Sequence, residues 1–170
     1  MIQMVDLKSQ YLKIKDEIDS GIARVINNTE FINGQDVKDF RKELATYLNV
    51  GNVITCGNGT DALQIAMMAL GLKPGDEVIS TDFTFIATVE TIALLQLTPV
   101  MVDVDPETYL INPDEIEKAI TPRTKAIVPV HLFGQCADME RIMDIARRHN
   151  LYVIEDTAQA IGSDYHFSDG

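Results

Sequence analysis

Three short segments carry residue types that could hold a flat, phosphorylated ligand. The first is Gly57-Asn58-Gly59-Thr60-Asp61-Ala62-Leu63, between an apolar run and an amphipathic stretch. Glycines let a backbone turn tightly and approach a ligand, and a helix start leaves N–H groups unpaired with partial positive charge. Together these make an anion site, to which Thr60 adds a hydroxyl. An ordinary capped strand–helix turn explains the same residues, with Thr60 or Asp61 satisfying the helix end. The segment is neither a Walker motif nor G-x-G-x-x-G.

The second segment is Val153-Ile154-Glu155-Asp156-Thr157-Ala158-Gln159. Its acidic pair ends a buried strand, where open α/β sheets bind ligands. Asp156 is costly to bury unpartnered. A protonated pyridine nitrogen would partner it, and so would a helix start or an arginine. The third segment is Thr81-Asp82-Phe83-Thr84-Phe85-Ile86-Ala87-Thr88, also at a strand's carboxyl end. An aromatic there could stack on a cofactor ring. The alternative is that Phe83 and Phe85 are both core residues.

Other chemistries find little support. His131 follows an apolar strand and reads as a packed, hydrogen-bonded core histidine. His149 and His166 form no ligand spacing with it, so no metal site is expected. There is no Gly-x-Ser-x-Gly elbow, and neither Cys56 nor Cys136 has an adjacent base. Arg147 and Arg148 sit at a helix end, where cations complement the dipole.

The elements that must position these segments follow from periodicity. Leu7, Tyr11, Ile14, Ile18, Ile22, Val25 and Ile26 mark an amphipathic helix, broken by Asn27-Asn28 and Asn33-Gly34. Val37, Phe40, Leu44 and Tyr47 mark a second. Strands are expected at 52–56, 77–81, 99–104, 125–130 and 151–155. Helices are expected at 60–70, 84–95, 113–120 and from an Asp138 cap to His149, with Asn112 capping the third. The helix over 84–95 has few charges and should be buried. This alternation predicts an α/β fold, a mostly parallel sheet with helices on both faces. The expected organisation is an N-terminal helical segment, 1–50, and an α/β domain, 51–170. The chain closes on the turn-like Ser168-Asp169-Gly170.

A net charge of −12 argues against nonspecific binding to nucleic acid or anionic membrane, so a phosphate must be held by local donors. Two distant cysteines give no disulfide framework. The N-terminus lacks a signal-peptide pattern, no apolar run is long enough to span a membrane, and the expected compartment is the cytoplasm.

The order and company of these segments resemble one family. Asp6-Leu7…Gln10-Tyr11, Gly57-Asn58-Gly59-Thr60-Asp61-Ala62-Leu63-Gln64-Ile65-Ala66, Pro74-Gly75-Asp76-Glu77-Val78-Ile79, Thr84-Phe85-Ile86-Ala87-Thr88, Val102-Asp103-Val104-Asp105, Ile120-Thr121-Pro122-Arg123-Thr124-Lys125-Ala126-Ile127, Phe133-Gly134-Gln135-Cys136-Ala137-Asp138 and Glu155-Asp156-Thr157-Ala158-Gln159-Ala160 are similar to blocks of the DegT/DnrJ/EryC1/StrS family. The glycine-rich block is closest in form to members that aminate the sugar 3-position, including the UDP-2-acetamido-3-oxo-glucuronate type.

The resemblance implies a pyridoxal 5′-phosphate (PLP) aminotransferase large domain of fold type I, acting on a nucleotide-linked keto sugar in polysaccharide biosynthesis. Glutamate is the implied amino donor, and a homodimer the implied assembly. By the same resemblance Gly59, Thr60 and the Asp61 backbone hold the phosphate, and Phe85 stacks on the pyridine ring. Asp156 pairs with the ring nitrogen, and Gln159 lies near the phenolic oxygen. An ionised Asp156 would raise that nitrogen's pKa. The family's Schiff-base lysine, in a Ser-Phe-Phe-Pro-x-Lys-type segment beyond Gln159, has no match in these residues, nor has the small C-terminal domain. The stretch is therefore expected to be a truncated part of a longer chain and inactive by itself. The resemblance leaves open a PLP-dependent sugar dehydratase, which carries histidine in place of the lysine, and a noncatalytic or regulatory domain on the same scaffold. A Rossmann dehydrogenase lacks its glycine fingerprint here.

Overall fold

The computed structural model describes residues 4–168, which divide into two units with the boundary between Thr55 and Cys56. Asp169 and Gly170, two residues of the expected closing turn, lie outside the described residues.

The first unit is helical. Helix α1 (Leu7–Asn28) starts where the Asp6 carboxylate accepts the Ser9 N–H at 3.0 Å, and stops at left-handed Thr29. Helix α2 (Gln35–Tyr47) follows the turn at Gly34, and Arg24 on α1 pairs with Asp36 on α2. Neither helix buries a residue fully. The strand expected at 52–56 does not form. Ile54 is 79% exposed, and the run contributes no partner to the sheet among the described residues. Two large apolar residues, Val53 and Ile54, cannot hold a strand that has no neighbour.

The second unit is the α/β layer. Strands β1 (Glu77–Thr81), β2 (Thr98–Val102), β3 (Thr124–Val128) and β4 (Tyr152–Val153) form one parallel sheet in the order β2-β1-β3-β4. Between them run α3 (Gly59–Ala69), α4 (Ile86–Leu94), α5 (Pro113–Ala119) and α6 (Met139–His149). The two central strands are buried on both faces, and their alternate residues feed two separate cores. Ile79 and Ile127 join Ile116 of α5 and Ile142 of α6 in one. Val78, Ala126 and Val128 join Met67 of α3 and Ile92 of α4 in the other. Helices thus cover both faces, as a parallel sheet requires.

Local capping sets the boundaries. Asn112 accepts the Asp114 N–H at 2.9 Å, with Pro113 at the first helical position, and Asp138 accepts the Arg141 N–H at 3.2 Å. Helix α4 begins later than periodicity suggests, because Phe85 is extended and serves as its cap residue. It is also only half-buried: Ala87, Thr88, Thr91 and Ile92 face inward, while Ile86 and Leu94 are exposed.

At the amino end of β1 the buried Glu77 carboxylate accepts from the Thr121 hydroxyl, from Arg123 Nε at 2.9 Å and from the Thr124 hydroxyl at 3.3 Å. The Thr121 hydroxyl first, then Arg123, hold its carboxyl below the usual carboxylate range. A folded value below the unfolded one, ~4.3, gives stability that is present above that pH and lost as pH falls through the folded value. Glu77→Gln should therefore melt several degrees below wild type at pH 7, with the gap closing as pH falls through the folded value. Identical melts at pH 7 would contradict this.

Candidate cofactor site

Parallel strands deliver their carboxyl ends to one edge, and two of the expected site segments leave from there, one after β1 and one after β4. After β4 the chain continues alongside β3: Val130 and Asp156 form a parallel bridge. The Asp156 N–H donates to the Pro129 carbonyl at 2.9 Å, and its carbonyl accepts the His131 N–H at 3.0 Å. The half-buried side chain is fixed as well. Oδ2 accepts the Thr88 hydroxyl at 2.8 Å, and Oδ1 accepts the Ala158 N–H at 3.3 Å. Among the described residues no Lys, Arg or His pairs with this carboxylate. Among the described residues no arginine meets it, and the Asx-type turn to Ala158 leads into turns rather than the short helix considered from sequence.

Glu155, one residue earlier, pairs instead with His131 Nε2 at 2.9 Å. The Ala137 N–H donates to His131 Nδ1 at 3.0 Å, so the ring hydrogen sits on Nε2 and is donated to Glu155. His131 is buried, the hydrogen-bonded core histidine that the sequence suggests. Its bond outweighs burial and keeps the Glu155 carboxyl below the usual range.

Phe85, 74% exposed, caps α4 three residues before Thr88; Phe83, 46% exposed, leans on Tyr109 with ring centroids 5.7 Å apart. Neither is buried among the described residues, whereas the core alternative expects both to be. Gln159 Oε1 accepts the Phe133 N–H at 3.0 Å, which leaves the Gln159 amide –NH2 as the group able to donate.

The Gly59–Asp61 turn begins α3, with a cap that the sequence reading assigned to the wrong residue. Asn58, not Thr60 or Asp61, is the cap: its Oδ1 accepts the Asp61 N–H at 2.9 Å, and its Nδ2 donates to Asp61 Oδ2 at 3.1 Å. The Asp61 amide is therefore engaged, and an anion could use it only by displacing Asn58. The Gly59 and Thr60 N–H groups have no partner among the described hydrogen bonds. A side chain at Gly57 would meet only the end of the Asp61 side chain, at 2.8 Å, which can turn aside; a side chain at Gly59 would meet nothing within 4 Å. Asn58→Ala should cost about 1 kcal/mol of stability, read as a lower urea midpoint, while freeing the Asp61 amide. An unchanged midpoint would contradict the cap.

Asp156 and the first turn of α4 are thus joined directly, through Thr88. The Gly59–Asp61 turn is joined to them only by the packing of α3 against α4. No hydrogen bond among the described residues links that turn to Asp156, Phe85 or Gln159.

Residues 12–167 match the DegT/DnrJ/EryC1/StrS aminotransferase family. The chain belongs to that family. It is 53% identical over 165 residues to the UDP-2-acetamido-2-deoxy-3-oxo-D-glucuronate aminotransferase of Pseudomonas aeruginosa, covering 97% of this chain and 46% of that protein. It is 51% identical over 164 residues to a pleiotropic regulatory protein of Geobacillus stearothermophilus, covering 96% and 44%. The crystal structure of NtdA from Bacillus subtilis with bound cofactor PMP superposes with a TM-score of 0.86 at 44% identity, over 88% of this chain and 34% of that one. The chain therefore spans less than half the length of these relatives.

Family membership and the PMP-bound neighbour imply a PLP/PMP cofactor, and this chain's residues fit one. Two free helix-start amides and open space at Gly59 suit a phosphate. A carboxylate held by neutral donors and lacking a cation suits a pyridinium nitrogen. The exposed Phe85 ring suits stacking. The signal that sequence reading missed is Thr88, whose spacing of four from Thr84 on a mostly apolar helix was the only hint. No helix of the described residues is long and apolar enough to cross a membrane, and no group of three or more potential ligands among them could hold a metal ion.

Proposed function

We propose that this chain forms the cofactor-cradling part of a cytoplasmic, homodimeric PLP-dependent aminotransferase that moves an amino group, with glutamate as donor, to a nucleotide-linked 3-keto sugar. The observation that carries the reading is the Asp156 carboxylate, held at the carboxyl edge of the sheet by Thr88, with no cation paired to it among the described residues. The resemblance to the Pseudomonas aeruginosa enzyme supports the substrate class.

When bound, the cofactor supplies an electron sink that is strongest with its ring nitrogen protonated. The chain's own residues then have distinct tasks. Gly59 and Thr60 donate N–H bonds to the phosphate. Phe85 covers one ring face and excludes water from it. Asp156 holds the proton on the ring nitrogen. The Gln159 –NH2, turned by the Phe133 amide, donates to the phenolic oxygen. These residues hold and tune; by the family resemblance the group that would move the substrate proton is a lysine of a downstream segment. The 170 residues taken alone are therefore expected to bind PLP without turnover.

The test is transamination by the full-length protein with glutamate and a UDP-linked 3-keto sugar, followed as 2-oxoglutarate release. Product formation supports the reading; PLP uptake without product from any nucleotide-linked keto sugar counts against it. The likeness to the Geobacillus stearothermophilus protein motivates a second reading, a regulatory domain on the same scaffold. That reading predicts no PLP uptake even at millimolar concentration.

A further inference from the structure

The start of α4 and the residues just before it carry a line of hydroxyls that ends on the Asp156 carboxylate. Thr88 is fully buried, and its Oγ1 lies 2.8 Å from Asp156 Oδ2 and 2.9 Å from Thr84 Oγ1. Its backbone is occupied as well: the N–H donates to the Phe85 carbonyl at 3.2 Å, and the carbonyl accepts the Thr91 hydroxyl at 3.2 Å. An ionised carboxylate can only accept, so Thr88 must donate its one hydroxyl hydrogen to Asp156. Its oxygen must then accept from Thr84. The chain of donors therefore has a single direction, from Thr84 through Thr88 to Asp156. Bonds aligned in this way polarise one another, and inside a protein each is stronger than in water.

We propose that Thr88, backed by Thr84, is a positioning residue for the cofactor chemistry: it fixes the rotamer of Asp156, so that the carboxylate stays aimed at the proton on the ring nitrogen. This rests on the assignment of Asp156 to the ring nitrogen. Thr88 touches no substrate and acts only through Asp156. A hydroxyl donor favours the charged carboxylate, and removing it shifts a shared proton toward the acid. Position matters as much as charge. Asp156 Oδ1 has only the longer Ala158 bond, so without Thr88 the carboxyl group is free to turn. The same contact ties the segment after β4 to α4, whose cap residue is Phe85, so one bond links the elements that carry the ring-stacking residue and the ring-nitrogen partner.

The experiment uses the full-length protein loaded with 15N-labelled PLP and reads the ring-nitrogen chemical shift at pH 7.5. Wild type should show a protonated nitrogen, and Asp156→Asn an unprotonated one. Thr88→Val, similar in shape but without the hydroxyl, should lower the protonated-to-neutral ratio about tenfold, one pKa unit. Thr88→Ser should restore it. Thr84→Ala should shift it the same way by a smaller amount. A Thr88→Val protein that matches wild type while Asp156→Asn differs overturns the role of Thr88 and leaves that of Asp156 standing. If Asp156→Asn also matches wild type, or no PLP is taken up, the ring-nitrogen assignment falls and this proposal with it. If Thr88→Val does not fold, Thr84→Ala decides: an unmoved signal overturns the proposal.

Discussion

Asp156→Asn in the full-length protein is expected to retain PLP but to transaminate about 100-fold more slowly, near 2.7 kcal/mol in barrier. Asparagine keeps the shape of the side chain, and its carbonyl can still accept the Thr88 hydroxyl that Oδ2 accepts now. What it loses is the charge. A neutral amide cannot hold a proton on a pyridine nitrogen as a carboxylate does, so the electron sink weakens while phosphate and ring contacts persist. The expected kinetic pattern is a fall in kcat with PLP affinity changed little. Single-turnover rates with glutamate would isolate the step. A loss of less than tenfold would contradict the role given to Asp156.

The largest effect on stability is expected from Ile127→Ala. Ile127 is fully buried in β3, between β1 and β4, and packs in the core beneath α5 and α6. Truncation removes transfer free energy and leaves a cavity, for about 3–4 kcal/mol. That is a large part of the 5–15 kcal/mol typical of a whole domain, and it should lower Tm by roughly 6–16 °C. Met101→Ala, at a partly exposed side chain of β2, should cost less than about 1 kcal/mol. Urea melts of both variants would check the pair. An Ile127→Ala cost below that of Met101→Ala would mean that β3 is not the centre of this sheet.

The helix boundaries were legible where a cap residue marks them. Asn112-Pro113 and Asp138 are local signals, and the structure uses both. The parallel sense of the sheet was legible from the alternation of strands and helices, while its strand order was not. The strand at 52–56 was misread, since an apolar run says nothing about whether a neighbour exists to pair with it. The helix over 84–95 was read as buried because it lacks charge, yet exposed Ile86 and Leu94 lie on its outer side. At the site, Asp156, Phe85 and Gln159 stood out by residue type and by place at strand ends. Their fixings did not. The Thr88–Asp156 bond joins residues 68 apart in sequence, and the Phe133–Gln159 bond joins residues 26 apart. Threonine in a helix has no distinctive local role, so such partners emerge only when the chain folds. The cap was misassigned for a related reason: Asn58, Thr60 and Asp61 are all capable, and geometry chose among them.

The most direct measurement is a crystal structure of the protein soaked with PMP. The ring nitrogen should lie within hydrogen-bond distance of the Asp156 carboxylate, with the phosphate on the Gly59 and Thr60 amides and the Phe85 side chain against the ring. Density for PMP elsewhere, such as the cleft of about 660 Å³ lined by Thr121, Lys125 and Tyr152 near the amino ends of β3 and β4, with none at Asp156, would contradict the assignment.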